Sequence, residues 1–175
     1  MKPADRIVVW VAQGFGSGCL RPAPGTWGSV VGVLWLVLLL CAAHPWVWLA
    51  GTVAGIAFAV PVCTRAERVL GAHDPASVVL DEIAALPLIW LGVLWTPGGI
   101  AFSQPVAPTV IVFAHAPELL TGFVAFRLFD IWKPGPIRRV QRLRAGLGVV
   151  ADDVLAALAA ALVVSGVAYL RWGTR

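Results

Sequence analysis

Residues 29–63 read SVVGVLWLVLLLCAAHPWVWLAGTVAGIAFAVPVC, two almost wholly apolar runs parted by His44-Pro45. Each run approaches the ~20 residues that an α-helix needs to cross a hydrocarbon core of ~30 Å. A tightly turned helical hairpin pairs its backbone N–H and C=O groups internally, which an irregular chain in lipid does not. The stretch predicts two membrane spans and sets the fold class: an all-α, polytopic membrane helical bundle.

The composition agrees. Hydrophobic residues make up 59% and charged residues 13%, against roughly 45–50% and about 25% in ordinary soluble domains. Nine tryptophans against one tyrosine suit a bilayer interface. A length of 175 residues predicts a single membrane-embedded domain over 1–175. The net charge of +4, with no basic and aromatic residues interleaved on a binding module, argues against a nucleic-acid partner. Cys19, Cys41 and Cys63 lack C-x-x-C spacing, so neither a disulfide nor a zinc site is expected. The start, MKPADRIVVWVAQGFGSG, carries no cleavage pattern and reads as mature protein.

Farther along, Ile83–Trp95 is apolar, Pro97-Gly98-Gly99 and Gln104–Pro108 break the pattern, and Thr109–Ala114 resumes it. Pro117–Trp132 predicts a separate helix, because Pro117 suits a first turn and Pro134 and Pro136 forbid continuation. The basic connector Lys133–Arg144 leads to Asp152-Asp153 and an alanine-rich helix ending near Leu170. About four to five spans are expected, with one polar face carrying the active site.

Four polar segments are separated by a hairpin, by a second hairpin or re-entrant segment, and by a short loop, so all four return to one side. Only Arg171 and Arg175 of the thirteen Lys/Arg residues fall at the far end of the last span. The positive-inside bias makes the polar side cytoplasmic.

Five of the nine acids, Asp81, Glu82, Asp130, Asp152 and Asp153, sit in tight groups at the mouths of apolar helices. A carboxylate costs about 2.5–3.5 kcal/mol in a membrane even on the generous scales, so the placement demands a reason. Helix capping, at about 0.3–1 kcal/mol per charge, accounts for one acid at each helix start but not for adjacent pairs that repel. Hard oxygen donors from several helices are what Mg²⁺ selects, with phosphate as a further ligand. Asp130 also lies three residues from both Arg127 and Lys133, on one helical face. An exposed ion-pair ladder of that kind contributes only about 0.2–0.5 kcal/mol, whereas two cations beside a carboxylate hold a phosphate together with its metal.

Gly14–Ser29, GFGSGCLRPAPGTWGS, offers glycines, Arg21 and the hydroxyls of Ser17, Thr26 and Ser29 just before a span. Such a loop can bring amide N–H groups to a phosphate, although it lacks the pattern of nucleotide-binding loops. His73, before Asp74-Pro75, is a weaker acid–base candidate, and His44 and His115 join no ligand set.

Read together, GFGSG…PGTWGS, HDPASVVLDE, FRLFDIWKPGPI and GLGVVADDVLAA resemble the phosphatidylglycerophosphatase A family of bacterial inner-membrane lipid phosphatases, over roughly Gly14 to Ala157. The resemblance implies Mg²⁺-dependent hydrolysis of phosphatidylglycerophosphate to phosphatidylglycerol, in phospholipid biosynthesis at the cytoplasmic face of the inner membrane. Two departures stand out: a longer, more apolar Thr96–Ala116, and Ala156-Ala157 where a glycine is expected.

The expected site therefore has Asp81, Glu82, Asp130, Asp152 and Asp153 as catalytic and metal-holding acids, with Thr26, Ser29, Arg127 and Lys133 on the phosphate. Attack by water and attack by a carboxylate both remain open. The rival readings are an ion-coupled membrane carrier and a noncatalytic membrane scaffold.

Overall fold

The computed structural model describes residues 1–94, 107–141, 143 and 146–173, and all the regular structure among them is helical. A short helix α1 (Pro3–Ala12) and a 3₁₀ turn (Gly14–Cys19) precede the hairpin of α2 (Pro24–Cys41) and α3 (Pro45–Leu70). Pro24 and Pro45 each occupy a first helical turn, where the missing N–H costs nothing. At the hairpin turn His44 caps α3, its Nδ1 accepting from the Trp46 N–H at 3.3 Å.

The chain continues through α4 (Leu80–Ala85), a 3₁₀ turn (Leu86–Trp90) and α5 (Leu91–Leu94). The apolar run that begins at Ile83, left open as part of a second hairpin or re-entrant segment, is thus not one uninterrupted α-helix among the described residues. Pro87 cannot donate to the preceding turn, so the helix tightens there into 3₁₀ geometry and then restarts. Trp95 and the breaks expected at 97–99 and 104–106 lie outside the described residues, as does most of the Thr96–Ala116 departure.

After α6 (Pro108–Ala114) comes α7 (Ala116–Trp132), bent from it by 78°. Then follow α8 (Gly135–Val140) and α9 (Gly146–Trp172). Among the described residues, α2, α3 and α9 are long and apolar enough to cross a membrane, and the bent pair α6–α7 raises the count to as many as four. The chain is an all-α membrane bundle of about four spans.

Helix α9 is the central post, packed against α3, α4, α5, α7 and α8. Its inward stripe is small: Ala156, Ala157 and Ala160 are completely buried. Association in lipid relies on close packing rather than on water expulsion, so small residues are the right material. Ala156-Ala157 thus takes up core space where a glycine was expected, while a close approach to α9 is supplied by Gly92, where any Cβ would lie 2.2 Å from the Ala161 carbonyl oxygen.

The end of the bundle opposite the acid groups is tied by Glu118, which is 1% exposed. It accepts from Arg171 Nη1 at 2.9 and 3.2 Å and from Trp172 Nε1 at 2.9 Å. His115 sits at the α6–α7 bend, edge-on to Trp90 with ring centroids 5.1 Å apart. Its role is packing at the end remote from the cavity described next.

Candidate active site

The starts of α2, α4 and α9 meet the end of α7 around a cavity of about 380 Å³. Asp81, Glu82, Asp130, Asp152 and Asp153 all line it, together with Arg127 and Lys133. Four segments far apart in sequence thus converge on one end of the bundle.

Helix α7 presents its last turn to the cavity. Arg127 Nη1 donates to Asp130 Oδ2 at 2.6 Å and, across to α4, to Glu82 Oε2 at 2.9 Å. Lys133 Nζ donates to Asp152 Oδ2 on α9 at 2.5 Å and lies 3.8 Å from Asp130 Oδ1. The expected ladder along α7 exists, yet both cations also bridge to other helices in a mostly enclosed place. Among the described residues the buried Arg127 Nε has no hydrogen-bond partner, leaving a donor unused.

Asp81 and Glu82 lie in the first turn of α4, as expected. Asp152 and Asp153 do not begin their helix: α9 starts at Gly146, so the pair falls in its second turn and helix capping is no account of it. Asp81 and Asp153 are each 3% exposed, and among the described residues no Lys, Arg or His side chain comes within 4.0 Å of either carboxyl. Burial, and then the neighbouring Glu82 charge, push the Asp81 carboxyl well above the usual carboxylate range. For Glu82, burial outweighs the nearby Arg127 charge and raises the pKa to about 7. At Lys133 burial works against the charge, but the hydrogen bond and charge of Asp152 prevail and its pKa is raised.

Two expected phosphate contacts stand elsewhere. Ser29 is buried behind Glu82 and donates to its Oε2 at 2.7 Å, and neither Ser29 nor Thr26 lines the cavity. The α2 segment contributes Ala23, Pro24 and Gly25 instead. A Cβ on Gly25 would lie 2.4 Å from Glu82 Oε1 and 2.9 Å from both terminal nitrogens of Arg127, so this position admits no side chain without displacing that pair.

A sixth acid, Asp74, lines the cavity and was not singled out from the sequence. It adopts the left-handed region (φ 48°), rare for a residue with a side chain. Glu67 on α3 holds the turn by accepting from the Asp74 N–H at 2.8 Å and by pairing with His73 Nδ1 at 2.8 Å. Gln141 Nε2 donates to Asp74 Oδ2 at 3.0 Å. His73 thereby serves as a brace, and the signal that pointed to Asp74 was its place within HDPASVVLDE.

The donor chemistry suits a hard divalent cation, since six carboxyl groups share one cavity and two of them have no basic partner among the described residues. Their spacing is that of carboxylates bridged by Arg127 and Lys133. Among the described residues, no three His, Cys, Asp or Glu side chains form a group that could hold a metal ion as they stand. The acids share a cavity as expected but are not drawn around a single point.

The family of phosphatidylglycerophosphatase A matches residues 10–168, taking in every cavity residue named above. The chain belongs to that family. It is similar to the phosphatidylglycerophosphatase A of Haemophilus influenzae, with 36% identity over 91% of this chain and 87% of the relative. The phosphatidylglycerophosphatase A of Escherichia coli is 32% identical over 86% of this chain and 77% of its own. A Bacteroides thetaiotaomicron protein provisionally named a phosphatidylinositol-3-phosphatase is 30% identical over 98% of both chains. No solved structure matches. As a member of the phosphatidylglycerophosphatase A family, the chain is a phosphatase, a phosphoric monoester hydrolase.

Proposed function

We propose that this phosphatase hydrolyses phosphatidylglycerophosphate to phosphatidylglycerol and phosphate, for phospholipid biosynthesis, at the cytoplasmic face of a bacterial inner membrane and with Mg²⁺. The observation that supports this reading most is the single cavity in which Arg127 and Lys133 stand among acids from α4, α7 and α9. A phosphomonoester carries close to two negative charges at neutral pH; these two cations would neutralise it, and the acids they now bridge, Glu82, Asp130 and Asp152, would then be free to help hold a divalent ion. Asp81, Glu82, Asp130, Asp152 and Asp153 would hold Mg²⁺, which when bound supplies charge stabilisation at phosphorus and a more acidic water. Gly25 leaves room for the phosphate beside Arg127, and Ser29 orients Glu82.

In the reaction the P–O bond to the glycerol oxygen breaks, water supplies the new oxygen on phosphorus, and the glycerol oxygen takes a proton. A carboxyl group of the cavity takes the proton from water and returns one to the leaving oxygen. An aspartate acting as nucleophile would give the same products through an acyl phosphate, and isotopic oxygen exchange into the carboxyl separates the two routes. The cytoplasmic placement is supported by exposed Arg68, Arg138 and Arg139 around the cavity end.

The decisive assay is phosphate release by the purified chain from phosphatidylglycerophosphate and from phosphatidylinositol-3-phosphate, with Mg²⁺, with chelator, and with Mg²⁺ restored. Release from the first lipid, abolished by chelator and recovered with Mg²⁺, is expected. Preference for the inositol lipid, or indifference to chelator, overturns the reading.

A further inference from the structure

Helix α1 is apolar on two opposite faces. Val9 and Ala12 are buried, and Ala12 shares a core cluster with Ala59, Cys63 and Ala66 of the spanning helix α3. Arg65 of α3 locks the same side by donating to Asp5 at 2.8 Å. At 100° per residue, Ile7 and Trp10 point away from that contact, and both are more than half exposed. A short soluble-facing helix has no reason to be apolar on its outer side.

Phe15 extends this outer patch. It is a bulky residue held in the left-handed region (φ 58°) between Gly14 and Gly16, and its ring meets Trp10 edge-on at 5.1 Å. Strain of this sort persists only where the surroundings enforce it and marks positions with a task. Here the outcome is an aromatic pair presented outward. Lys2, Arg6 and Arg21, in and just after the same N-terminal stretch, are exposed, while Asp5, the one acid of α1, is turned to Arg65.

We propose that Ile7, Trp10 and Phe15 seat in the headgroup and acyl boundary of an anionic leaflet, with Lys2, Arg6 and Arg21 on the lipid phosphates. Two features select lipid over other occupants. Helix α1 lies against a span-length helix, so its outer face continues the membrane-facing side of the bundle. The charged residues exposed on and beside it are all basic, complementary to anionic headgroups. The seat is also coupled to the cavity, because the Val79 N–H donates to Ala12 O at 2.9 Å and Gln13 Nε2 donates to Ser77 Oγ at 3.3 Å, just ahead of Asp81 and Glu82. Docking of α1 therefore fixes the height of α4 relative to the leaflet that carries a lipid substrate.

The test uses the full chain with its native thiols removed (Cys19→Ser, Cys41→Ala, Cys63→Ala), reconstituted in phosphatidylcholine vesicles containing phosphatidylglycerol. A nitroxide is attached in turn at Ile7→Cys, Trp10→Cys and, as the polar reference, Arg6→Cys. Labels at positions 7 and 10 are expected to lose collisions with a water-soluble nickel complex and gain collisions with oxygen, relative to position 6. Nickel access equal to that of position 6 at both sites overturns the proposal. So does spin–spin broadening that vanishes on dilution with unlabelled protein, which assigns the patch to a second copy of the chain. The readout is independent of phosphatase activity, so its failure is distinct from failure of the proposed reaction.

Discussion

Ser29 and Glu82, 53 residues apart in sequence, meet at 2.7 Å in a contact closed to solvent, the serine hydroxyl donating to the carboxylate that also receives Arg127. The same hydroxyl lies 2.9 Å from the Gly25 carbonyl oxygen, but it has one proton to give, and the charged acceptor draws it more strongly. Ser29→Ala removes one of the two groups that orient Glu82, at a cost of about 1–3 kcal/mol for the acceptor left unpaired. The expected result is a fall in kcat with the protein still folded. An unchanged kcat would detach Ser29 from the site.

Gly25 offers a sharper probe. Gly25→Ala places a methyl 2.4 Å from Glu82 Oε1. Its neighbours there are the ends of two long side chains, which can swing away. Activity is expected to fall by more than ten-fold while the thermal midpoint moves little. Parallel loss of both would make Gly25 a folding requirement only.

Lys133 and Asp152 form an enclosed pair, with the aspartate side chain 2% exposed. Removing Lys133 leaves the Asp152 carboxyl buried without its cation, at a cost of about 3–5 kcal/mol, and removing Asp152 leaves Lys133 only its longer approaches to Asp130 and Asp74, at a smaller cost. Lys133→Met and Asp152→Asn are each expected to destabilise. The double variant should regain stability without regaining phosphatase activity, and thermal unfolding alongside the activity assay reads both.

Glu82 gives the pH prediction. Its pKa rises from 4.5 to about 7 on folding, chiefly through burial. A raised carboxyl pKa contributes stability that is complete below the unfolded value and lost as pH climbs toward 7, so metal-free protein is expected to soften across that window. Cation binding needs the ionised form, so the Mg²⁺-induced rise in thermal midpoint should be larger at about pH 8 than at about pH 6. An equal rise at both would remove Glu82 from the proposed metal set.

Much of this was legible in the chain itself. The hairpin over 29–63 announced its spans because apolar length is a local property. The acid groups were legible because carboxylates beside long apolar runs need a reason. The break of Ile83–Trp95 into short pieces was signalled by Pro87 but was outweighed by the apolar run around it. The start of α9 at Gly146 placed Asp152 and Asp153 a turn deeper than expected, since glycines before an acid pair read as a loop. Ser29 looked like a phosphate ligand because nothing in the order of residues reveals that Glu82 stands in front of it.

By itself the sequence determined that this protein is a helical membrane bundle with five of its nine acids and most of its cations in polar segments at one end, because hydrophobic length and charge placement act along the chain. Only the tertiary structure decided which cation meets which acid, that Asp74 joins the cavity while Ser29 stands behind it, and that Gly25 must lack a side chain. Those outcomes depend on contacts of a few ångströms between helices distant in sequence, and such contacts exist only once the helices have packed.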